Sequence, residues 1–508
     1  MSTILTNFLW RFLERIGAQG VSLIVSIILA RLLAPSIYGI IALVTVFITI
    51  LNVFIDSGLA MALVQKKNAD DLDFSSVFWF NILACSLLYI ILFLSAPSIA
   101  SFYRMPDLTL VIRILGLQLI VSGIKNIQLA YVSRTLQFKR FFFATLGGTI
   151  GAAIIGIYLA YRDFGVWALV AQQLFNTSID TLILWLTVDW RPHAVFSCHR
   201  LLSLLSYGWK LLVSALLDTG YNNLRSLIIG KLYAPSDLAF YNRGQQFPGL
   251  IVSNINTSID SVLLPTMARE QEDKERVRSM TRRAIKTSTY LMMPLMVLLA
   301  VCAEDVVRLV LTDKWLESVF YLRIFCFTYA FYPIHTANLN AINALGRSDL
   351  FLKLEIVKKV MGLTALGATM FISVRAMAYS LLVTSVLGQV INSWPNRRLL
   401  KYGYKDQVRD MHPQIGISCL MGGAVYLLQA IMNAIGSNIE SRSVVGSIAG
   451  GMVSISTSNS SLIIVIKLLV QVVAGLGLYV GLSKLFKIDS YEYVVGLVRK
   501  SKLTSRTR

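Results

Sequence analysis

Apolar residues fill this chain in long blocks, each closed by a short polar stretch. Fourteen blocks are long enough to cross a hydrocarbon layer as helices of about 20 residues. They run over 9–33, 38–64, 74–99, 108–132, 141–161, 165–188, 208–232, 238–264, 285–309, 318–344, 351–373, 376–395, 414–435 and 460–483. This pattern predicts an all-α integral membrane protein of about 14 transmembrane helices. The first block holds Glu14 and Arg15, and no small-residue cleavage site follows it, so it reads as a retained span rather than a cleaved signal.

The pattern also repeats. Ile28-Leu-Ala-Arg-Leu-Leu-Ala-Pro-Ser36 returns as Ile228-Ile-Gly-Lys-Leu-Tyr-Ala-Pro-Ser236. Asn52-Val-Phe-Ile-Asp-Ser-Gly-Leu59 returns as Asn256-Thr-Ser-Ile-Asp-Ser-Val-Leu263. A weaker pair is Arg134-x3-Phe138-x-Arg140 and Arg347-x3-Phe351-x-Lys353. Matches in the same order at nearly constant offset imply a duplicated bundle, and duplicated membrane bundles are typical of transporters. An even number of blocks separates the copies, so the repeat is parallel.

Composition agrees with the blocks: 56% of residues are hydrophobic and 15% charged, against roughly 25% charged in soluble domains. The net charge of +20 would suit nucleic acid, but its placement does not. Loops 65–73, 133–140, 189–206, 266–286, 346–359, 397–409 and the tail 484–508 hold 30 Lys and Arg, and the alternate loops hold 6. That bias places the first set and both termini in the cytoplasm. No basic groove interleaved with aromatics accompanies it, so nucleic acid is not an expected partner. The basic loop 266–286 reads either as an amphipathic helix on the anionic inner leaflet or as a solvated, orientation-setting loop. The Ser/Gly-rich stretch 436–459 reads as a flexible external loop. Gly147-x3-Gly151 and Gly477-x3-Gly481 have the spacing that lets helices pack closely, whereas Gly446-x3-Gly450 falls in that loop.

Catalytic and metal chemistry is not signalled. Gly230-Lys231 lacks both the earlier glycine and the following Ser or Thr of a Walker A loop. There is no zinc-protease motif, no setting for a nucleophilic serine and no metal-ligand cluster. The expectation is a non-enzyme with no cofactor. Of five cysteines, Cys85, Cys302, Cys326 and Cys419 lie in apolar blocks and read as small buried thiols; Cys198 does not.

The informative residues are the polar ones inside apolar blocks, where a charge costs about 2.5–3.5 kcal/mol and so faces a partner or a wet cavity. Asp218, Asn222 and Arg225 recur at i, i+4 and i+7 on one helical face near the middle of 208–232, flanked by Tyr221 and Asn223. They read either as a substrate site or as an internal Asp218–Arg225 pair locking two helices. The next block opens with Arg243 and Gln246. Arg31 and Lys231 occupy equivalent repeat positions near the outer surface, as gate residues or as cations snorkelling to headgroups. Asp56 and Asp260 are repeat-related acids, either ion-coupling carboxylates or helix–helix contacts. Glu14, Arg15, Lys125 and Asn126 approach the cytoplasmic side, and 318–344 carries His335, Asn338, Asn340 and Asn343, the histidine reading as a packing residue. Intramembrane cations (Arg15, Lys125, Arg225, Arg243) match or exceed the acids (Glu14, Asp56, Asp218, Asp260), a balance that suits an anionic cargo.

Several stretches are similar to the bacterial polysaccharide exporters: residues 28–39, Asp56-Ser-Gly-Leu with Gln65-Lys-Lys, Phe164-Gly-Val-Trp-Ala-Leu-Val-Ala-Gln172, and Tyr241-Asn-Arg-Gly-Gln-Gln-Phe-Pro248. From about residue 8 to 410 the chain resembles Wzx-like flippases of the multidrug/oligosaccharidyl-lipid/polysaccharide superfamily. The resemblance implies two pseudo-symmetric six-helix lobes around a central cavity (1–200 and 201–410), then an added helix pair and basic tail (411–508). It implies a bacterial inner-membrane location, alternating access, and a cargo of undecaprenyl-diphosphate carrying one oligosaccharide repeat unit. Its partners would be that lipid-linked substrate, membrane lipids, and the polymerase and chain-length machinery of a surface polysaccharide. Arg225 and Arg243 would then be the contacts for diphosphate or acidic sugar, with Arg31 and Lys231 at the outer gate. Two other readings share the fold: a cation- or proton-coupled multidrug or metabolite antiporter, which needs a deep essential carboxylate, and a peptidoglycan-precursor flippase, whose loss kills the cell.

Overall fold

In the computed structural model, which describes residues 2–56, 59–66, 68–135, 137–449 and 458–496, the chain is helical, with no strand among those residues. The first half comprises α1 (Ser2–Leu32), α2 (Pro35–Asp56), α3 (Leu59–Gln65), α4 (Asp71–Tyr103), α5 (Leu108–Thr135), α6 (Phe138–Tyr161), α7 (Val166–Thr187) and α8 (Cys198–Leu232). The second comprises α9 (Pro235–Arg269), α10 (Lys274–Val301), α11 (Ala303–Leu311), α12 (Ser318–Ala330), α13 (Tyr332–Ala344), α14 (Ser348–Thr369), α15 (Val374–Leu399), α16 (Tyr404–Ala449) and α17 (Ser458–Leu485). Each expected apolar block falls on one helix or on a consecutive pair, the pairs being α2–α3, α10–α11 and α12–α13. Among the described residues eight helices are long and apolar enough to cross a membrane, and nine if Cys198–Ser206 and Gly208–Leu232, bent by 52°, form one span. Helix α9, with Arg243 and Asp260, and helix α14, with Lys353, Glu355, Lys358 and Lys359, are not among them.

Two loop expectations are corrected. The basic stretch 266–286 is neither a separate amphipathic helix nor a loop. Helix α9 continues to Arg269 and α10 starts at Lys274, capped by Asp273, whose side chain accepts from the Arg276 amide at 3.0 Å. Arg, Lys, Glu, Met and Ala between 274 and 286 are strong helix formers, so the membrane helix simply extends into the polar zone. Likewise α16 runs to Ala449, past Ile435, so residues 436–449 are helix where a loop is expected. Gly450 lies outside the described residues, as do the side chains of Glu14 and Arg15.

The repeated phrases build the same local structure twice. After Leu32 and Leu232 the helix stops for two residues and restarts on Pro35 or Pro235. Proline suits a first helical turn because its missing N–H has no partner there anyway.

The helices pack into two compact units, Met1–Ala239 and Phe240–Arg508. Helix α8, which begins the second repeat, packs with the first unit against α2, α3 and α4. In that unit α6 lies between α1 and α7. A Cβ on Gly147 would stand 2.7 Å from Ile183 Cδ1, and one on Gly151 3.0 Å from Phe175, so this spacing does bring α6 against α7. Gly477 and Gly481 meet nothing comparable. Phe74, Phe78, Tyr131 and Trp190 form an aromatic core, and the Trp190 indole donates to Asp71 at 3.2 Å. In the second unit α10 is central, packed on α12, α13 and α16, and Tyr479 of α17 donates to the Tyr290 carbonyl at 2.8 Å. Cys85, Cys302 and Cys326 are buried as expected, but Cys419 is exposed on α16. Leu83, Leu94, Leu186, Phe371 and Val473 are also exposed, an apolar surface that belongs against lipid.

Candidate functional site

The polar face of α8 survives folding as an accessible stripe. Asn222 Nδ2 donates to Asp218 Oδ2 at 3.1 Å, both side chains being exposed, and half-buried Arg225 continues the same face. Asn223 donates to the Thr219 carbonyl at 2.9 Å and faces its own helix. The stripe therefore offers a carboxylate, an amide and a guanidinium within two turns, able to bind an anionic or hydroxyl-rich group.

Arg243 and Gln246 are brought together, but in a packed setting. Arg243 is 7% exposed, donates to Gln246 Oε1, and lies 5.3 Å from the Trp315 ring centroid. Farther along α9, Asp260 accepts from Asn340 Nδ2 at 2.6 Å and Asn256 accepts from the Thr336 hydroxyl at 2.7 Å. Residues 256 and 260 on α9 match 336 and 340 on α13, so i, i+4 spacing on both helices makes a two-rung polar ladder. Asp260 thus meets an amide of α13 rather than backbone or Ser. Asp56 ends α2, and its side chain lies outside the described residues. His335 is a packing residue, its ring bonded to Asn392 at 3.0 Å. Asn338 exchanges amide hydrogen bonds with Gln407 at 2.9 and 2.8 Å and accepts from Asn396 at 2.7 Å, joining α13, α15 and α16.

Arg31 and Lys231 are equivalent in sequence but differ in setting. Arg31 is exposed in the last turn of α1. Lys231 lies 3.9 Å from the Phe102 ring centroid and donates to the Phe102 carbonyl. Beside Lys231 the two repeated corners touch. A Cβ on Gly39 would overlap the Pro235 carbonyl and stand 2.8 Å from its Cα, so only glycine lets α2 approach the start of α9 this closely. One on Gly230 would stand 2.9 Å from Leu43 Cδ1.

Half-buried Asp180 and buried Asp305 and Lys467 are further charges inside apolar helices that the sequence reading does not single out. Lys125 pairs with Asp180 at 2.9 Å, tying α5 to α7. Lys467 pairs with Asp305 at 2.7 Å with both side chains about nine-tenths buried, and Asn433 and Gln429 complete the cluster at 2.8 and 3.0 Å. The signal was available, since each is a charge inside an apolar helix; only its partner, 55 or 162 residues away, was invisible. Two of the three are acids already matched to a lysine, so a tally of charges made without their partners carries no weight for or against an anionic cargo. Among the described residues no group of three or more His, Cys, Asp or Glu converges to hold a metal ion.

Comparison with known proteins places this architecture. The family model described as "Polysaccharide biosynthesis protein" matches residues 28–320. The chain is 25% identical over 379 residues to the teichuronic acid biosynthesis protein TuaB of Bacillus subtilis (strain 168), covering 73% of this chain and 77% of that one. It is 24% identical over 314 residues to the succinoglycan biosynthesis transport protein ExoT of Rhizobium meliloti (strain 1021), covering 62% and 63%. The fold is similar to that of the lipid II flippase MurJ in an inward closed conformation, with a TM-score of 0.70 over 96% of this chain and 99% of that one at 13% identity. The chain belongs to the polysaccharide biosynthesis protein family, in agreement with its resemblance to the Wzx-like exporters.

Proposed function

We propose that this protein flips undecaprenyl-diphosphate-linked oligosaccharide repeat units across a bacterial inner membrane for surface polysaccharide synthesis. The observation that carries this reading is the family match over residues 28–320, joined to whole-length similarity to a lipid II flippase. In this reading the chain has fourteen spans, both termini in the cytoplasm, and two six-helix lobes (1–200 and 201–410) around a cavity, followed by α16 and α17. Alternating access carries the sugar headgroup through the cavity while the polyprenyl tail stays in lipid.

The exposed stripe of Asp218, Asn222 and Arg225 supports a headgroup site on α8. Arg225 would engage phosphate or an acidic sugar through its planar fork, and Asp218 with Asn222 would accept from and donate to sugar hydroxyls. Arg243, held by Trp315 and Gln246, would shape the second repeat's opening turns rather than move with cargo. Asp260 ties α9 to α13. Arg31 and Lys231, with Gly39 against Pro235, would form the outer closure. The polymerase and chain-length machinery would act on the product. Deleting the gene should accumulate inner-leaflet lipid-linked oligosaccharide and abolish the surface polymer, with wild type restoring both and Arg225→Ala not. Unchanged precursor and polymer would refute the flippase reading and favour a soluble-substrate antiporter.

A further inference from the structure

Where α10 enters the polar zone, the second unit carries a basic hollow that opens into an apolar groove. The hollow, about 410 Å³, is lined by Arg282, Arg283, Lys286 and the turn-and-helix segment holding Asp489 and Tyr493. The groove, about 640 Å³, shares Arg283, Thr287 and Tyr493 with it and runs between Ile259 and Val262 of α9 and Leu291 of α10. A second basic hollow of about 480 Å³ shares Lys286 and Asp489 and adds Arg409 and Lys487.

The walls are fixed by neutralised pairs. Arg282 donates to both Asp410 oxygens at 2.7 and 2.6 Å, and Lys286 pairs with Asp489 at 2.6 Å. Arg283, Arg409 and Lys487 meet no carboxylate at ion-pairing distance among the described residues. Arg283 stands over the Tyr493 ring, 5.1 Å from its centroid, at the mouth where hollow meets groove. Unneutralised guanidinium and ammonium groups beside an apolar channel match a molecule with a phosphate head and a hydrocarbon tail. These cations belong to the basic stretches that the charge bias assigns to the cytoplasm, whose leaflet is rich in anionic lipid.

We infer that this hollow and groove form a binding site for one anionic diacyl phospholipid of the inner leaflet, its phosphate on Arg283 and an acyl chain along Ile259, Val262 and Leu291. The occupant is a resident phospholipid rather than the transported lipid because the bilayer supplies it continuously at high mole fraction. Bound there, it would join α9 and α10 to the segment after α17.

The test uses the full chain, delipidated and returned to nanodiscs of phosphatidylcholine with graded phosphatidylglycerol. Lipid retained by the protein is counted by native mass spectrometry. One phosphatidylglycerol should be retained in preference to phosphatidylcholine. Arg283→Ala should weaken retention about tenfold, as loss of one charge-assisted contact implies. Arg283→Lys should retain most of it, and Leu291→Trp should block the groove. Thermal unfolding in phosphatidylcholine alone checks that each variant folds. Equal retention of both lipids, insensitivity to Arg283→Ala and Leu291→Trp, or preferential retention of added undecaprenyl phosphate would each overturn the proposal. No sugar or transport enters the assay, so its failure is distinct from failure of the flippase reading.

Discussion

At the scale of single residues, the chain uses two opposite devices. Charge placed on an accessible helix face marks the candidate site, and absence of a side chain lets helices meet. Arg225 is the sharpest case of the first. Replacing it with Ala should lower flipping by roughly ten- to hundredfold, the loss expected for one charge-assisted hydrogen bond to phosphate, whereas Arg225→Lys should retain part of the rate. Rates of lipid-linked oligosaccharide movement, normalised to protein in the membrane, check this. Gly39 is the second case. A Val side chain there cannot coexist with the Pro235 carbonyl, so Gly39→Val should prise the two corners apart. Leu43 is 1% exposed, and in a Leu43→Cys background Gly39→Val should speed thiol labelling at that position. Unchanged labelling would mean that the contact is not what closes the corner. Sequence reading found Arg225 from its helical spacing, but Gly39 and Pro235 are partners only in three dimensions.

At the scale of helices, apolar blocks located every helix but not every break or end. No Pro or Gly marks the interruption at Cys302; its one signal is the pair Glu304 and Asp305 in the first turn of α11, where acids favour a helix start. The charges of 266–286 allow either a separate amphipathic helix or a loop, and only the structure shows that from Lys274 they continue the apolar helix α10. Long-range pairs were equally hidden, and they carry stability. Removing one partner of a buried pair leaves an uncompensated charge, so Lys467→Met alone should destabilise the α11–α16–α17 cluster by about 3–5 kcal/mol. The double replacement Lys467→Met with Asp305→Leu should recover most of that, as measured by unfolding in detergent. The cap of α4 gives a pH signature. Asp70 accepts from the Asp73 amide, and the hydrogen bond from Arg200 chiefly holds its carboxyl below the ordinary value of 3.8. A depressed carboxylate stabilises fully above its unfolded pKa, and that contribution fades as pH falls through the lowered folded value. Stability should therefore decline below about pH 4, and Asp70→Asn should flatten that decline. Both partners are partly exposed, so the effect should be small.

At the scale of the whole molecule, the duplicated phrases and alternating basic loops made a transporter-like fold legible before any coordinates. The repeat showed itself as the same two-residue corner built twice. A charge balance read from sequence counts residues without their partners: Lys125 is neutralised by Asp180, and the Lys467–Asp305 pair lies outside the count. The case for a lipid-linked cargo therefore rests on family and fold. The orientation reading predicts that single cysteines placed near Arg269 and Arg397 label from the cytoplasmic side, and one near Asp163 from the opposite side. The most direct test is to reconstitute the purified protein into liposomes with a labelled undecaprenyl-diphosphate oligosaccharide. The fraction accessible to a membrane-impermeant glycosidase is then followed with time. The account predicts that wild type moves the labelled lipid between leaflets and that Arg225→Ala does so far more slowly. No movement by folded wild-type protein, together with transport of a soluble cation by the same preparation, would contradict it.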